Sequence, residues 1–273
     1  MAPISGPEAK EILVSIMEHQ FINRNIDNTL PAYKERLEKG GQDPAYGGAG
    51  CGDSFCTTLY DTAGIRPLPN IVFTGDNPGN ALVTRLYDSR KRELVLSGTS
   101  STAYFANHVA THGQRPHYFL FSEGHTLCGA MDAILGNAYH KMEAGLYEPL
   151  LFMHEKLKDT INKLDRKGIT DKIMRNALLA QTNVDIQVNL AMELYKKLYP
   201  GIIENNKLYV VGMMRDITGD IYAPETPMIG DVFITNINGE KDTDRLKQLV
   251  TGLLREYSIT KEVIEHNVRR LDF

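Results

Sequence analysis

The chain has 273 residues, enough to bury a full core as one domain or as one domain with extensions. Apolar residues make up 42% and charged residues 23%, the balance of a soluble globular protein, and a formal charge of −4 with scattered basic residues speaks against nucleic acid as a partner. No run of about 18 apolar residues predicts a membrane span, Met1 to Lys10 has no apolar signal core, and three cysteines are too few and too odd a count for a disulfide framework. A cytoplasmic protein is therefore expected, with thiols that are buried, metal-bound or reactive.

In chain order, Glu8 to Phe21 carries Ile12, Leu13, Ile16, Met17 and Phe21 at helical spacing, with Pro7 near its start. A second, polar helix is predicted over Pro31 to Glu38, stopping at Gly40-Gly41. Residues 1–42 read as an N-terminal helical arm that packs on the core or on a partner subunit. Asp43 to Cys56 is glycine-rich and contains a small-residue strand, Ala45 to Gly50, followed by Cys51, Asp53 and Cys56. Taken alone, it is a glycine-rich turn with a buried cysteine, and Cys56 reads as a plain buried thiol. Asn70 to Phe73 predicts a strand that runs into an Asp76-Asn77-Pro78-Gly79-Asn80 turn, and Ser101 to Val109 predicts a helix.

His117 to Ala130 is the stretch around which the chain is organised. Tyr118 to Phe121 has the composition of a buried strand. Gly124 is expected to end that strand and permit a sharp turn, and a small-residue helix follows from Gly129. His125 and Cys128 then stand i, i+3 at a helix start, at the kind of strand-end turn where open α/β sheets bind ligands. Taken alone, this pair reads as a backbone-bonded histidine and a buried cysteine. Leu135 to Ala180 reads as helical packing, Asn183 to Leu194 as a further helix, and Lys207 to Tyr222 as a strand with a hairpin. Beyond Pro224 to Pro227, Asp231 to Ile237 predicts a strand, Asn238-Gly239 a turn and Thr243 to Tyr257 an amphipathic helix. Residues 228–273 form a C-terminal extension packed on the same domain. The fold class is α/β, a mainly parallel sheet of about four or five strands flanked by helices.

Cys51, His125 and Cys128 together supply two thiolates and an imidazole. A Cys2His set with an open fourth position is one of the catalytic zinc arrangements. Asp53 is close enough to Cys51 in sequence to be a fourth ligand or a hydrogen-bond acceptor beside the metal. Cys51-Gly-Asp53 and His125-Thr-Leu-Cys128 resemble the Cys-x-Asp-x-Arg and His-x-x-Cys motifs of the β-class carbonic anhydrases. Other landmarks follow in the family's order. Asp76 to Asn80 is similar to its Arg-Asn-Ala-Gly-Asn turn, Ser101 to Val109 to its Ser-x-x-Tyr-Ala helix, and Asn183 to Leu194 to its Asn-Val-x-x-Gln-Val helix. Lys207 to Tyr222 resembles its last core strand. The likeness runs over about residues 43 to 223, and residues 43–227 are read as the zinc domain.

The resemblance implies a β-carbonic-anhydrase-like fold and a Zn2+ held by Cys51, His125 and Cys128. It further implies a catalytic Asp53, reversible hydration of CO2 to bicarbonate, and a homodimer or multiple of dimers. Phe55 departs from the pattern, standing where the family has the Arg that pairs with the aspartate. Asp76, where a second Arg is usual, reads as a turn residue near the site. Arg66 and Arg85 are substitute partners for Asp53 by sequence proximity alone. Two alternatives stand beside the leading reading: a hydrolase of a CO2-like molecule such as carbonyl sulfide or carbon disulfide, and a catalytically silent zinc-bearing binding or regulatory protein. His112 and His117 are proton-shuttle candidates by position only. His19, His108, His140, His154 and His266 read as structural or surface groups.

Overall fold

The computed structural model describes residues 46–51, 72–255 and 259–272, and for Tyr46, Cys51 and residues 72–77 the backbone alone. The readings of Asp53, Phe55, Cys56, Arg66, Asn70 and the N-terminal arm lie outside the described residues.

Five strands form one sheet: β1 (Tyr46–Cys51), β2 (Val72–Asn77), β5 (Tyr118–His125), β6 (Leu208–Asp216) and β7 (Asp231–Ile237). Their spatial order is β2-β1-β5-β6-β7, parallel throughout except for the antiparallel β7. β3 (Val83–Asp88) and β4 (Glu93–Gly98) make a separate antiparallel hairpin. The helices are α1 (Ser100–Thr111), α2 (Gly129–Leu135), α3 (Ala144–Arg166), α4 (Lys172–Leu198), α5 (Thr243–Leu253) and α6 (Lys261–Asn267). This is the mainly parallel, helix-flanked α/β sheet that the alternation of patterns predicts.

The period of two along the strands sorts side chains onto the two faces of the sheet. On one face Tyr118, Leu120, Leu208 and Val210 pack with Phe105 and Val109 of α1 and Val188 and Ala191 of α4. On the other, Val211, Met213 and Ile237 pack with Leu246 and Val250 of α5 and Ile264 of α6. The predicted strand over Asp231 to Ile237 is thus an edge strand whose outer face carries the two C-terminal helices. No described helix is long and apolar enough to cross a membrane.

Several local expectations need correction. β5 does not stop at Gly124: it runs through His125, and Gly124 serves close packing instead of a turn. A Cβ there would stand 2.8 Å from Val184 Cγ2 and 2.9 Å from Met214 Sδ. Gly47 has the same role in β1, where a Cβ would meet the Phe105 ring at 2.6 Å. The small first strand therefore lets α1 lie close on the sheet. Asp76 is a strand residue of β2, paired with Gly50, and the turn is made by Pro78–Asn80, with Gly79 at φ 60 and Asn80 at φ 54.

The helical stretch from Leu135 to Ala180 divides in two. Gly168, at φ 65, ends α3, with Ile169 N–H donating to Leu164 O and Gly168 N–H to Asp165 O. Asp171 then caps α4 by accepting from Met174 N at 2.7 Å. The amphipathic helix predicted to reach Tyr257 ends at Leu253.

Candidate metal centre

Parallel strands bring their carboxyl ends to one edge of the sheet, and the two cysteine-bearing segments meet there. Cys51 ends β1, one residue after Gly50, which is paired with Glu123 of the neighbouring strand β5. His125 ends β5 two residues further on, and its own register partner is Arg215 of β6. Backbones of adjacent strands lie roughly 4.8 Å apart, so positions 51 and 125 occupy neighbouring places on the same edge. The side chain of Cys51 lies outside the described residues.

His125 is 0% exposed, and its Nδ1 lies 2.8 Å from Thr126 O. A carbonyl oxygen only accepts, so Nδ1 carries the proton. In the neutral ring the lone pair then sits on Nε2, the arrangement in which a histidine ligates a metal while a backbone carbonyl fixes its tautomer. Cys128 is 2% exposed and forms no disulfide. A buried thiol and a buried imidazole with a metal-binding tautomer are donors of the type zinc takes. Among the described residues, no group of three or more His, Cys, Asp and Glu side chains could hold a metal; the third donor of the expected set, Cys51, is outside that comparison.

Between His125 and Cys128 the chain turns through Leu127, which is 43% exposed and takes φ 58 without being glycine. A left-handed conformation costs an ordinary residue about 1–2 kcal/mol. Neighbouring groups hold it. Thr126 N–H donates to Arg215 O at 3.0 Å. The Thr126 hydroxyl donates to Asp216 Oδ1 at 3.2 Å and accepts from Ile217 N at 2.9 Å. Beyond the turn, Asn176 of α4 bonds the Cys128 peptide on both sides, accepting from its N–H at 2.8 Å and donating to its carbonyl at 2.9 Å.

Asp216, at the carboxyl end of β6, is the hub of this edge. Its Oδ1 accepts from Thr126 Oγ1, Thr218 N and Oγ1, and Gly219 N; its Oδ2 accepts from Ile221 N and Tyr222 N. Burial pushes its carboxyl pKa up, but the hydrogen bonds from Thr218, Tyr222, Gly219 and Ile221 outweigh burial and hold it below the ordinary value. The loop after β6 is thereby tied to the turn after β5.

Glu123 and Arg215 form a buried ion pair beside the same turn, with Nε and Nη2 of Arg215 at 2.8 and 2.7 Å from Glu123 Oε1. Such a pair gives little net stability, but each partner forbids removal of the other.

Asp216, Asn176, Glu123 and Arg215 are not among the residues to which the sequence alone points. For Asp216 a signal existed, since Asp-x-Thr-Gly is the pattern of a side-chain-bonded turn. Asn176 gave none, because its partner lies 48 residues away.

Other expected residues are elsewhere. Arg85 pairs with Glu155 at 3.0 Å and lies over the Phe152 ring at 5.0 Å, so it is occupied on α3. His117 stands at the amino end of β5, roughly 25 Å of extended chain from His125, with Nδ1 on Asn206 O. His112 follows the end of α1, before that same amino end, and its Nδ1 meets Thr111 Oγ1. Neither stands at the carboxyl edge, so neither serves the candidate centre as a proton shuttle.

No protein-family model and no curated protein matches this sequence. Solved structures do match in fold. One of two tetrameric β-carbonic anhydrases from Sordaria macrospora is 22% identical, with TM-score 0.54, covering 77% of this chain and 93% of its own. The Aspergillus fumigatus β-carbonic anhydrase CafA is 16% identical, with TM-score 0.56, covering 92% and 100%. A Coccomyxa β-carbonic anhydrase, solved with acetazolamide, is 15% identical, with TM-score 0.54, covering 93% and 100%. The mainly parallel sheet that carries His125 and Cys128 at its carboxyl edge is thus the fold of solved β-carbonic anhydrases.

Proposed function

We propose that the protein is a zinc-dependent, carbonic-anhydrase-like enzyme for the reversible hydration of CO2, with Cys51, His125 and Cys128 as the metal ligands. The observation that carries this reading is the Nδ1–Thr126 hydrogen bond of a fully buried His125, three residues before a buried Cys128, at the strand edge where Cys51 also ends. Zinc, when bound, supplies hydroxide at neutral pH as the nucleophile that adds to CO2. The chain's own part is to hold and orient. Thr126 O fixes the His125 tautomer, and Asp216 and Asn176 fix the turn that carries Cys128.

Asp53 has two roles open to a carboxylate beside zinc: fourth ligand or hydrogen-bond acceptor. A bidentate Arg partner would compete with the metal for it; Phe55 offers no such competition. Asp53 is therefore proposed to ligate the metal in the resting protein, making hydration weak near neutral pH. Stopped-flow CO2 hydration by zinc-loaded protein, from about pH 6.5 to about pH 9, brackets the pH at which zinc supplies hydroxide. Slow turnover at neutral pH that rises with pH is expected. Fast turnover at neutral pH would contradict the role given to Phe55. Hydrolysis of carbonyl sulfide or carbon disulfide without CO2 hydration would replace the reading.

The proposed assembly is a homodimer or a multiple of dimers, in the cytoplasm. The stripe Ile12, Leu13, Ile16, Met17 and Phe21 is the candidate cover for a neighbouring subunit. Light scattering at low micromolar concentration that returned a monomer with full metal content would contradict this assembly.

A further inference from the structure

We infer that Asn176 is a positioning residue for the metal, its amide setting where the Cys128 thiolate stands; this rests on the zinc reading above. Asn176 is 1% exposed, on the first turns of α4. Its Oδ1 accepts from Cys128 N, and its Nδ2 donates to Cys128 O and, at 2.8 Å, to Asp132 Oδ1. Both amide hydrogens and the amide oxygen are engaged. A flipped amide would set N–H against N–H and oxygen against oxygen, so only one orientation fits.

The three expected ligands differ in how their backbones are held. Cys51 and His125 end strands and inherit the sheet's rigidity. Cys128 follows Leu127, in its left-handed conformation, and precedes a helix of only seven residues. It needs an anchor from outside its own segment. α4 is the long helix packed on β5 and β6, and Asn176 ties it to the Cys128 peptide. Zinc ligands must stand within about 0.2 Å of their proper distances, so a small tilt of this peptide moves the sulfur out of range. Asp132 steadies the amide from behind, and Lys172 pairs with Asp132 at 3.2 Å on the solvent side.

The test uses the full chain, with zinc affinity read by competition against a chromophoric chelator and thiolate ligation read by absorption after cobalt(II) loading. Asn176→Ala is expected to weaken zinc binding about 10–100-fold and to reduce the thiolate-to-cobalt absorption. Asp132→Ala should weaken binding in the same direction but less, and Lys172→Ala should leave it unchanged. Leu157→Ala, in the buried core with no hydrogen bond to the turn, controls for lost stability: its unfolding midpoint should fall while affinity and spectrum hold.

A parent that takes up neither metal overturns the zinc reading, and this inference with it. A parent with thiolate absorption, beside an Asn176→Ala variant that keeps both affinity and spectrum, overturns this inference alone. If Asn176→Ala does not fold, Asp132→Ala decides: weakened binding supports the role, and unchanged binding overturns it.

Discussion

Asp216 shows at the level of one residue how this edge is stabilised. Its carboxylate gathers four backbone N–H groups, of Thr218, Gly219, Ile221 and Tyr222, and the hydroxyls of Thr126 and Thr218. Because its folded pKa is lowered from 3.8, the ionised form stabilises the fold above that value. The contribution is lost as pH falls through the depressed folded pKa. Asp216→Asn replaces an acceptor with a donor facing other donors and should cost about 3 kcal/mol at neutral pH. Urea unfolding should show the gap between parent and variant narrowing below about pH 4. A gap under about 1 kcal/mol at neutral pH, or one that does not change with pH, would show that the hub is not held by the charge. His125 and Cys128 were legible at this scale because a strand, a turn and two donor side chains fall within a dozen residues. Asp216 is legible only in part: Asp-x-Thr-Gly marks a side-chain-bonded turn, but the Thr126 hydroxyl it accepts from comes from another strand end.

At the scale of elements, α4 does for the loops what the sheet does for the strands. Besides Asn176, its Asn183 donates to Gly79 O, its Gln187 accepts from Leu82 N and Val83 N, and its Gln181 accepts from Tyr222 Oη and Leu271 N. Its Asp185 binds Arg270 and Asn236. A helix with so many buried polar side chains looks surface-like in sequence, because the partners that satisfy them lie up to 105 residues away. The sequence therefore suggested the helix but not its role. The approach of α4 to the sheet is set where Val184 lies over Gly124 and Gly212. Gly124→Ala would press a methyl against Val184, whose branched side chain has little rotamer freedom. A loss of about 1–3 kcal/mol is expected from the urea midpoint. A variant as stable as the parent would mean that the helix can shift, and that the glycine is not there for packing.

For the whole molecule, a mainly parallel sheet flanked by helices is legible in the sequence, whereas the spatial order of its strands is not. What could not be read was what surrounds the site: Leu127 in a left-handed turn, the Glu123–Arg215 pair and the clamp from α4. Each depends on contacts between segments distant in sequence. The sheet has the fold of solved β-carbonic anhydrases, and the His125 tautomer, set by a single hydrogen bond, leaves Nε2 with the lone pair that a metal ligand needs. The proposed zinc site of Cys51, His125 and Cys128 is tested most directly by the zinc content of the purified full chain, by elemental analysis, beside that of Cys128→Ser, in which a hydroxyl replaces the thiolate. The account predicts about one zinc per chain in the parent and loss of most of it in the variant. Near-zero zinc in the parent, or unchanged zinc in Cys128→Ser, would contradict it.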